Sequence, residues 1–415
     1  MYPILLLVII ISYAVLAWRD LKLALAVLAG LLPIYLLRFS VGPIPTTALE
    51  VLVLISLAIW LIKYRGFKVN TKNLNPWLKP ALLLIGAASI SAAIAPDLFD
   101  ALGIWKAYFI EPVLVFVMLK SLFDANDWRR LLIALAVSTI ALSVIAIAQA
   151  ITGFGIPAPW DAELRVTSVF DYPNALGLFV APIVAATIMM FVRERKPLWA
   201  IAAIFGAIAI ALSETEAALV AVPAALVITL LFTKASKKTK IRVVIELALV
   251  VLILIVAIPT VRQKLLLQDF SGQTRIAQWT ETTAMMTDRV GYLLLGVGLN
   301  GYPAALEPYH NSSFYEIFQY PHNIVLNFWA ETGLIGMVAI IWLGVLTIKA
   351  IRPSKSLNLS QPLSTSLKLA AFAALATMLI HGLVDVPYFK NDLAILTWMM
   401  IGIIASKHRE VIAKS

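Results

Sequence analysis

The chain has 415 residues, of which 61% are hydrophobic and only 13% are charged, with a net charge of +10 and a mean hydropathy of +0.92. Soluble domains carry about 25% charged residues, so this composition excludes a soluble protein and indicates a chain whose solvent is mostly lipid. The absence of cysteine excludes disulfides and thiolate metal sites, and four histidines are too few for a large histidine-built metal cluster.

Apolar segments long enough to cross a membrane follow one another along the chain. The first, MYPILLLVIIISYAVLAW, has no basic amino-terminal region and no small-residue cleavage site, so we interpret it as a span rather than a signal peptide. Only helices satisfy their own backbone in hydrocarbon. The predicted spans are 3–18, 21–37, 44–62, 80–95, 104–123, 131–151, 174–192, 198–213, 217–233, 243–259, 322–348, 366–386 and 391–406. The sequence therefore predicts an all-α polytopic transmembrane helix bundle of about 12–13 spans, with residues 1–415 as a single integral membrane domain.

The segments between these spans alternate in charge. Every second one is basic, and the basic loops together with the C-terminal tail hold 25 of the 33 lysines and arginines. Cytoplasmic loops accumulate such residues, which accounts for the net charge without a nucleic-acid partner. We therefore expect the basic loops and the C-terminus in the cytoplasm. The N-terminus would lie outside with thirteen spans and inside with twelve.

Two outward-facing loops are longer than a turn, at residues 152–173 and 260–321. The second is the longer and has room for extramembrane structure. Its TRIAQWTETTAMM portion has apolar residues at helical spacing, which predicts an amphipathic helix at the membrane interface. The GVGLNGYP segment that follows is rich in turn residues. The chemistry of the protein should be sought in this loop.

Basic residues in these outward loops need a physical reason, because the outer side is poor in them. Arg165 lies in the first loop, and Arg275 and Arg289 lie in the second. The planar guanidinium binds phosphate oxygens bidentately, so two arginines converging on an outward cavity would suit a diphosphate. Contact with lipid headgroups, or pairing with nearby carboxylates, is the alternative. That alternative is favoured for Arg262 and Lys264, which stand beside the end of a span.

His322 stands at the start of the span 322–348. Proline suits the first helical turn, so Pro321 predicts His322 in that turn at the outer face, with Asn323 beside it and Glu331 two to three turns deeper. A histidine can act as a general base because its ordinary pKa lies near neutrality. An interfacial hydrogen bond to a loop carbonyl is an equally acceptable interpretation.

His381 and Asp385 are spaced i, i+4, which predicts a pair on one helix face. We interpret this pair as structural, or as a support for the functional site. No group of residues has the spacing of a metal site, and we expect neither a metal nor another cofactor.

Several segments together resemble the O-antigen ligase family, which comprises membrane glycosyltransferases with a multi-helix fold of the C type. They are RVTSVFDYPNALGLFVAP (165–182), the R-x3-W pattern at 275–279, GVGLNGYP (296–303), YPHNIVLNFWAETGLIGM (320–337) and HGLVDVPYF (381–389). The order and spacing cover most of the chain, and the segment 320–337 is the most specific.

The resemblance implies transfer of a glycan from a polyprenyl (undecaprenyl) diphosphate carrier to a hydroxyl of a glycan or glycolipid acceptor, at the outer face of the cytoplasmic membrane. His322 is then the catalytic candidate, and inversion at the anomeric carbon would follow from direct attack by the acceptor. The diphosphate ligands would be Arg275, Arg165 and Arg289. The supporting residues would be Asn323, Glu331, Asn174, Trp279, His381 and Asp385.

The chain departs from the family pattern at Glu214-Thr215-Glu216, where many members have Ser-Arg. Either another arginine compensates or the head group of the donor differs.

The resemblance leaves the acceptor open. An O-antigen or surface-polysaccharide ligase is the expected function, with a polysaccharide polymerase close behind, because no residue identifies the acceptor. A small-solute or anion transporter is less favoured, because few ionisable groups lie within the spans and no inverted repeat with broken helices is visible. A purely structural scaffold would leave the outward arginines unexplained.

Overall fold

The computed structural model describes residues 2–406 apart from 43, 65–70, 234, 258–262, 264–265, 312–314 and 352–362. The amino-terminal part consists of α1 (Tyr2–Arg19), α2 (Leu21–Gly30), a 3-10 turn (Leu32–Leu36), β1 (Arg38–Val41), β2 (Ile44–Thr47), α3 (Ala48–Lys63), α4 (Thr71–Ala93), α5 (Leu98–Ile104), a π-helical segment (Trp105–Ile110), α6 (Glu111–Leu122) and α7 (Ala125–Thr152). It continues with α8 (Pro173–Glu194), α9 (Pro197–Leu212), α10 (Glu216–Leu231) and α11 (Lys237–Ala257).

Further helices fill the segment between α11 and the next helix that is apolar enough to cross a membrane. They are α12 (Phe270–Asp288), α13 (Val290–Leu295), α14 (Tyr302–Leu306) and a 3-10 turn (Glu307–Tyr309). The chain then forms α15 (Ile324–Ile351), α16 (Leu363–His381) and α17 (Asn391–Ala405). The helix predicted from TRIAQWTETTAMM is therefore present as part of α12, and its location at the membrane interface stays a prediction.

Six helical segments in the described ranges are long and apolar enough to cross a membrane. They are Pro76–Ala93, Leu98–Leu122, Ala125–Thr152, Pro173–Glu194, Ile324–Ile351 and Leu363–His381. Shorter apolar helices accompany them, namely Ile4–Arg19, Leu21–Gly30, Pro197–Leu212, Glu216–Leu231 and Asn391–Ala405. The prediction of an all-α polytopic membrane bundle is confirmed, and the count of about 12–13 spans stays a prediction.

A small hairpin interrupts the third predicted span. Strands β1 and β2 pair antiparallel, with Arg38 opposite Thr47, and Gly42 takes the positive φ that their tight turn requires. The Thr47 side chain then accepts the Glu50 N–H at 3.2 Å and caps α3. The expected helix start at residue 44 was therefore wrong, because β-branched residues there continue a strand.

Helix α8 lies at the centre of the bundle, since 78% of its most apolar 18-residue stretch is buried. Helix α16 packs against both α8 and α10, while α17 packs on α6 and α15 packs on α4. Lys390, just before α17, contacts the ring of Tyr172, which precedes α8. One end of the bundle therefore brings together the end of α16, the loop 382–390 and the start of α8.

Helix α15 is broken at Gly333, whose φ of 63° and ψ of −170° are not helical. The GVGLNG turn docks at this break, since the Val297 N–H donates to the Ala330 carbonyl at 2.8 Å and the Asn300 N–H donates to Glu331 Oε2 at 3.0 Å. A Cβ on Gly333 would collide with the Leu294 carbonyl. Two of the segments that carry the family resemblance therefore fit one another in space, and glycine is required where they meet.

Candidate functional site

The chain on either side of His322 is fastened to the loop that follows α16. The Ile324 N–H donates to the Gly382 carbonyl at 2.7 Å, and Asn323 Nδ2 donates to the Leu383 carbonyl at 2.9 Å. A Cβ on Gly382 would meet the Ile324 side chain at 2.8 Å, so this close approach needs glycine. These contacts bring the start of α15 against residues 382–385.

Helix α15 begins after His322, not at it. Asn323 Oδ1 accepts the N–H groups of Val325 at 3.0 Å and Leu326 at 3.1 Å, and so caps the helix. His322 precedes this cap with a φ of 47°, a left-handed conformation that is unusual for a residue other than glycine. The prediction that His322 lies in the first helical turn was wrong, because the asparagine side chain starts the helix one residue later.

The His322 imidazole faces the carboxylate of Asp385. Nδ1 of His322 lies 3.4 Å from Oδ1 of Asp385, without the alignment of a hydrogen bond. The histidine side chain is 30% exposed, whereas that of Asp385 is only 6% exposed. The Phe318 ring packs edge-on against the imidazole, with the ring centroids 5.0 Å apart. Nε2 of His322 has no partner among the described residues, so the imidazole can offer this nitrogen to a substrate.

Asp385 lies beyond the end of α16, in the turns that follow His381. The predicted helical pairing of His381 with Asp385 was therefore wrong in its geometry, because the helix stops at His381 and Asp385 turns towards His322. Burial alone would raise the pKa of Asp385. The pKa is nevertheless lowered to about 2, because the interaction with His322, the charges of both histidines and the Val386 N–H together outweigh the effect of burial. Asp385 is thus ionised at neutral pH and stabilises positive charge on His322.

Helix α12 brings Arg275 and Trp279 to the same place. Trp279 Nε1 donates to the Pro321 carbonyl at 2.8 Å, which fixes α12 against the residue before His322. Arg275 Nη1 donates to Ser271 Oγ at 2.8 Å, while its buried Nε has no partner. The guanidinium is close enough to His381 for their charges to interact. Arg275 is therefore a cation within electrostatic range of His381 and one helical turn from Trp279, and no described carboxylate neutralises it by an ion pair.

Arg165 lies on another element of the fold. Its Nη2 donates to the Ser213 carbonyl at 3.2 Å, and its guanidinium lies 3.8 Å from Glu163 and 3.9 Å from Glu214. The structure thus brings Arg165 to the 213–216 hairpin, where many family members have Ser-Arg. No described contact joins Arg165 to His322 or Arg275.

Arg289 is at the opposite end of α12 from Arg275. Fourteen residues separate them, which is about 20 Å along a helix. Arg289 lies 3.6 Å from Asp288 and is exposed. The structure therefore does not bring these two arginines together.

The remaining predicted residues occupy supporting positions. Glu331 is fully buried; its Oε2 accepts the Asn300 N–H, and its Oε1 has no hydrogen-bond partner. Asn174 is half-buried in the first turn of α8. Among the described residues, no three His, Asp or Glu side chains gather as a metal-binding group.

Two cations at this end of the bundle were missed by the sequence analysis. The Lys390 ammonium lies 4.9 Å from the ring centroid of Tyr172 and 5.5 Å from those of Tyr35 and Phe170. Burial lowers the pKa of Lys390, and nearby carboxylates counteract that effect. Arg38, at the start of β1, is exposed and within electrostatic range of Lys390. Their position could have singled them out, because Arg38 and Lys390 are two of the few cations outside the basic loops and the C-terminal tail.

Residues 201–341 match the family model described as O-antigen ligase. The match covers about a third of the chain, from within α9 to about two thirds of the way along α15. It includes Arg275, Trp279, His322, Asn323 and Glu331. The family resemblance predicted from the sequence is thereby confirmed. A comparison with curated proteins found no match.

Proposed function

We propose that this chain, whose residues 201–341 match the family model described as O-antigen ligase, is an inverting glycosyltransferase that moves a glycan from a polyprenyl diphosphate carrier to an acceptor hydroxyl. The observation that carries the proposal is the His322–Asp385 pair, in which a buried carboxylate faces Nδ1 while Nε2 is unoccupied. The unpaired Arg275 beside it supplies the positive charge that a diphosphate leaving group needs.

His322 acts as the general base of the reaction. Its Nε2 takes the proton of the acceptor hydroxyl while the acceptor oxygen forms a bond to the anomeric carbon. The bond from that carbon to the diphosphate oxygen breaks, and its electron pair leaves with the carrier diphosphate. Attack opposite the leaving group inverts the configuration. Asp385 orients the imidazole and stabilises the imidazolium, which later releases its proton to water.

Arg275 stabilises the charge that develops on the departing diphosphate. A guanidinium fork can hold two phosphate oxygens, and a preorganised cation acts most strongly where water is scarce. Arg165 is the candidate for a second ligand, because its carboxylate neighbours are exposed and lie at 3.8 Å and 3.9 Å, where pairing is weak. Arginines in these positions would perform the charge neutralisation for which other transferases use a metal ion.

The reaction is proposed for the outer face of the cytoplasmic membrane. The basic loops and the C-terminal tail together hold 25 of the 33 lysines and arginines, which favours their location in the cytoplasm. The segments that carry His322, Asp385 and Arg275 alternate with those basic loops and so belong to the opposite face.

The test is a transfer assay with purified protein and a polyprenyl-diphosphate-linked glycan. We expect release of the carrier diphosphate together with a glycosylated acceptor. A lengthened carrier-linked glycan identifies a polymerase, and transfer to a different glycan or glycolipid identifies a ligase. His322→Gln should abolish transfer, whereas His310→Gln, in the same segment but bound to Glu281, should retain it. Equal transfer by wild-type protein and His322→Gln contradicts the proposal, as does a failure of wild-type protein to consume the donor with any acceptor.

A further inference from the structure

Cations outside the basic loops differ in whether a carboxylate pairs with them. Eight lysines and arginines lie outside both the basic loops and the C-terminal tail, and six of the eight are in described positions. Three are paired: Lys106 with Glu50, Arg165 with Glu163 and Glu214, and Arg289 with Asp288. The other three are Arg38, Arg275 and Lys390, for which no ion pair exists within the described ranges. Arg275 belongs to the proposed catalytic site, so Arg38 and Lys390 still need an explanation.

Lys390 lies inside a cage of aromatic rings contributed by separate parts of the chain. Tyr35 comes from the 3-10 turn before β1, whereas Phe170 and Tyr172 precede α8. Tyr35 is 4% exposed and Phe170 is 2% exposed, while Tyr172 is 38% exposed. Two rings therefore form the inner wall of the cage and Tyr172 forms its rim. Cation–π contacts stabilise the ammonium but use none of its N–H groups in ordinary hydrogen bonds.

Asp392 supplies an unused acceptor beside this cage. Its side chain is 1% exposed; Oδ1 accepts the Leu393 N–H at 2.9 Å, and Oδ2 has no hydrogen-bond partner. Asp392 is within electrostatic range of Lys390, Tyr35 and Tyr172. A buried carboxylate oxygen without a partner is costly, so its presence indicates a donor that arrives with a ligand.

The charges around the cage decide the class of ligand. Arg38 and Lys390 are positive, but Asp171, Asp385 and Asp392 are all within electrostatic range of Lys390. A phosphate group would meet these carboxylates as well as the two cations. A neutral ligand with several hydroxyl groups meets no such repulsion, because it can donate to Asp392 and accept from Lys390. If it also has an apolar face, that face can pack on the exposed ring of Tyr172.

We propose that the cage of Tyr35, Phe170, Tyr172, Lys390 and Asp392 is a subsite for one neutral sugar residue of the glycan substrate. This inference rests on the proposed function, since it assigns the sugar a position beside the reacting groups. Lys390 and Asp385 belong to the same loop, and their charges interact. A sugar held by Lys390 and Asp392 would therefore lie within electrostatic range of Asp385 and orient its glycan towards the His322–Asp385 pair.

Saturation-transfer difference NMR on the full detergent-solubilised chain tests the subsite without requiring the reaction. The probes are glucose, galactose, mannose, N-acetylglucosamine and rhamnose. We expect at least one of them to receive saturation from wild-type protein and equally from His322→Gln. Lys390→Met keeps an unbranched side chain among the rings but removes the donor, so it should weaken binding at least about tenfold, the loss that one to two hydrogen bonds give. Lys237→Met, which changes an exposed lysine of a basic loop, should bind as wild type does.

Tyr172→Leu provides a second variant at the exposed rim, in case Lys390→Met does not fold. It should also weaken binding, because it removes the outer ring of the cage. The proposal is overturned if no probe receives saturation, if binding survives both Lys390→Met and Tyr172→Leu, or if inorganic pyrophosphate displaces the sugar competitively. Sugar binding that depends on Lys390, in a protein that does not transfer glycan, would support the subsite while contradicting the proposed reaction.

Discussion

At the scale of single residues, the chemistry depends on which nitrogen of His322 is available. Asp385 faces Nδ1 from a buried position, which leaves Nε2 for a substrate. The residue type and its location beside a span were enough to select His322 from the sequence. Its partner was not predictable, because Asp385 reaches His322 only through hydrogen bonds between residues 323–324 and 382–383. Helical spacing instead suggested His381 as the partner of Asp385.

Arg275→Gln should reduce transfer by about 10²–10³-fold, because it removes a preorganised charge beside the leaving group. Arg289→Gln is the matched comparison, since it changes the same residue type on the same helix about 20 Å away. It should change transfer by less than about threefold, as expected for an exposed surface pair. Initial rates with a saturating donor would measure both effects. Equal losses in the two variants would show that the diphosphate does not bind at the Arg275 end of α12.

Asp385 should make the stability of the protein sensitive to acid. Its folded pKa of about 2 lies below the ordinary value of about 3.9, so it stabilises the fold above about pH 4 and loses that contribution as the pH falls towards 2. Asp385→Asn lacks this contribution at every pH. The difference in melting temperature between wild type and Asp385→Asn should therefore be larger at pH 5 than at pH 3. A difference that is constant or grows at pH 3 would contradict the assignment.

At the scale of elements, the break in α15 connects the membrane bundle to the extramembrane helices. The GVGLNG turn fits against residues 330–333, and Trp279 ties α12 to the chain before His322. The helical conformation of α12 was predictable from the spacing of its apolar residues. The break at Gly333 was not, because it depends on contacts between residues 294–297 and 330–333, which are distant in sequence. The β1–β2 hairpin is local, but its four-residue strands are too short for hydropathy to distinguish them from the start of a span.

Gly333→Ala should destabilise the protein by about 1–3 kcal/mol, since the new Cβ would collide with the Leu294 carbonyl at a strained backbone conformation. Gly344→Ala is the control in the same helix, where an added Cβ meets no atom within 4 Å. That variant should be neutral or slightly stabilising, because alanine favours helix more than glycine. Thermal unfolding in detergent would compare the two. Equal melting temperatures would show that the turn does not dock as described.

At the scale of the whole molecule, hydropathy and the alternation of charge were sufficient to predict a polytopic helical bundle. The grouping of side chains at one end of that bundle could not be predicted from the sequence, because the site combines residues from distant elements. They come from α12, from the segment before α15 and from the loops after α16 and before α8. Arg38 and Lys390 illustrate this limit. Neither belongs to a recognisable pattern, and only the packing of the loops brings Lys390 among three aromatic rings.

The orientation in the membrane can be tested with single cysteines, because the chain contains none of its own. Thr280→Cys, on the exposed side of α12, should react with a membrane-impermeant maleimide added to intact spheroplasts. Ser236→Cys, in an exposed basic loop, should react only after permeabilisation. The reverse labelling pattern would put the site on the cytoplasmic face and contradict the proposed sidedness.

The most direct test of the central claim is a double-mutant cycle on His322 and Asp385 in the glycan-transfer assay. His322→Gln should lower the transfer rate by about 10²–10⁴-fold, as expected for loss of a general base. Because Asp385 acts through His322, Asp385→Asn should lower the rate on its own but cause no further loss when combined with His322→Gln. Wild-type transfer by a folded His322→Gln variant, or losses that multiply in the double variant, would contradict the account.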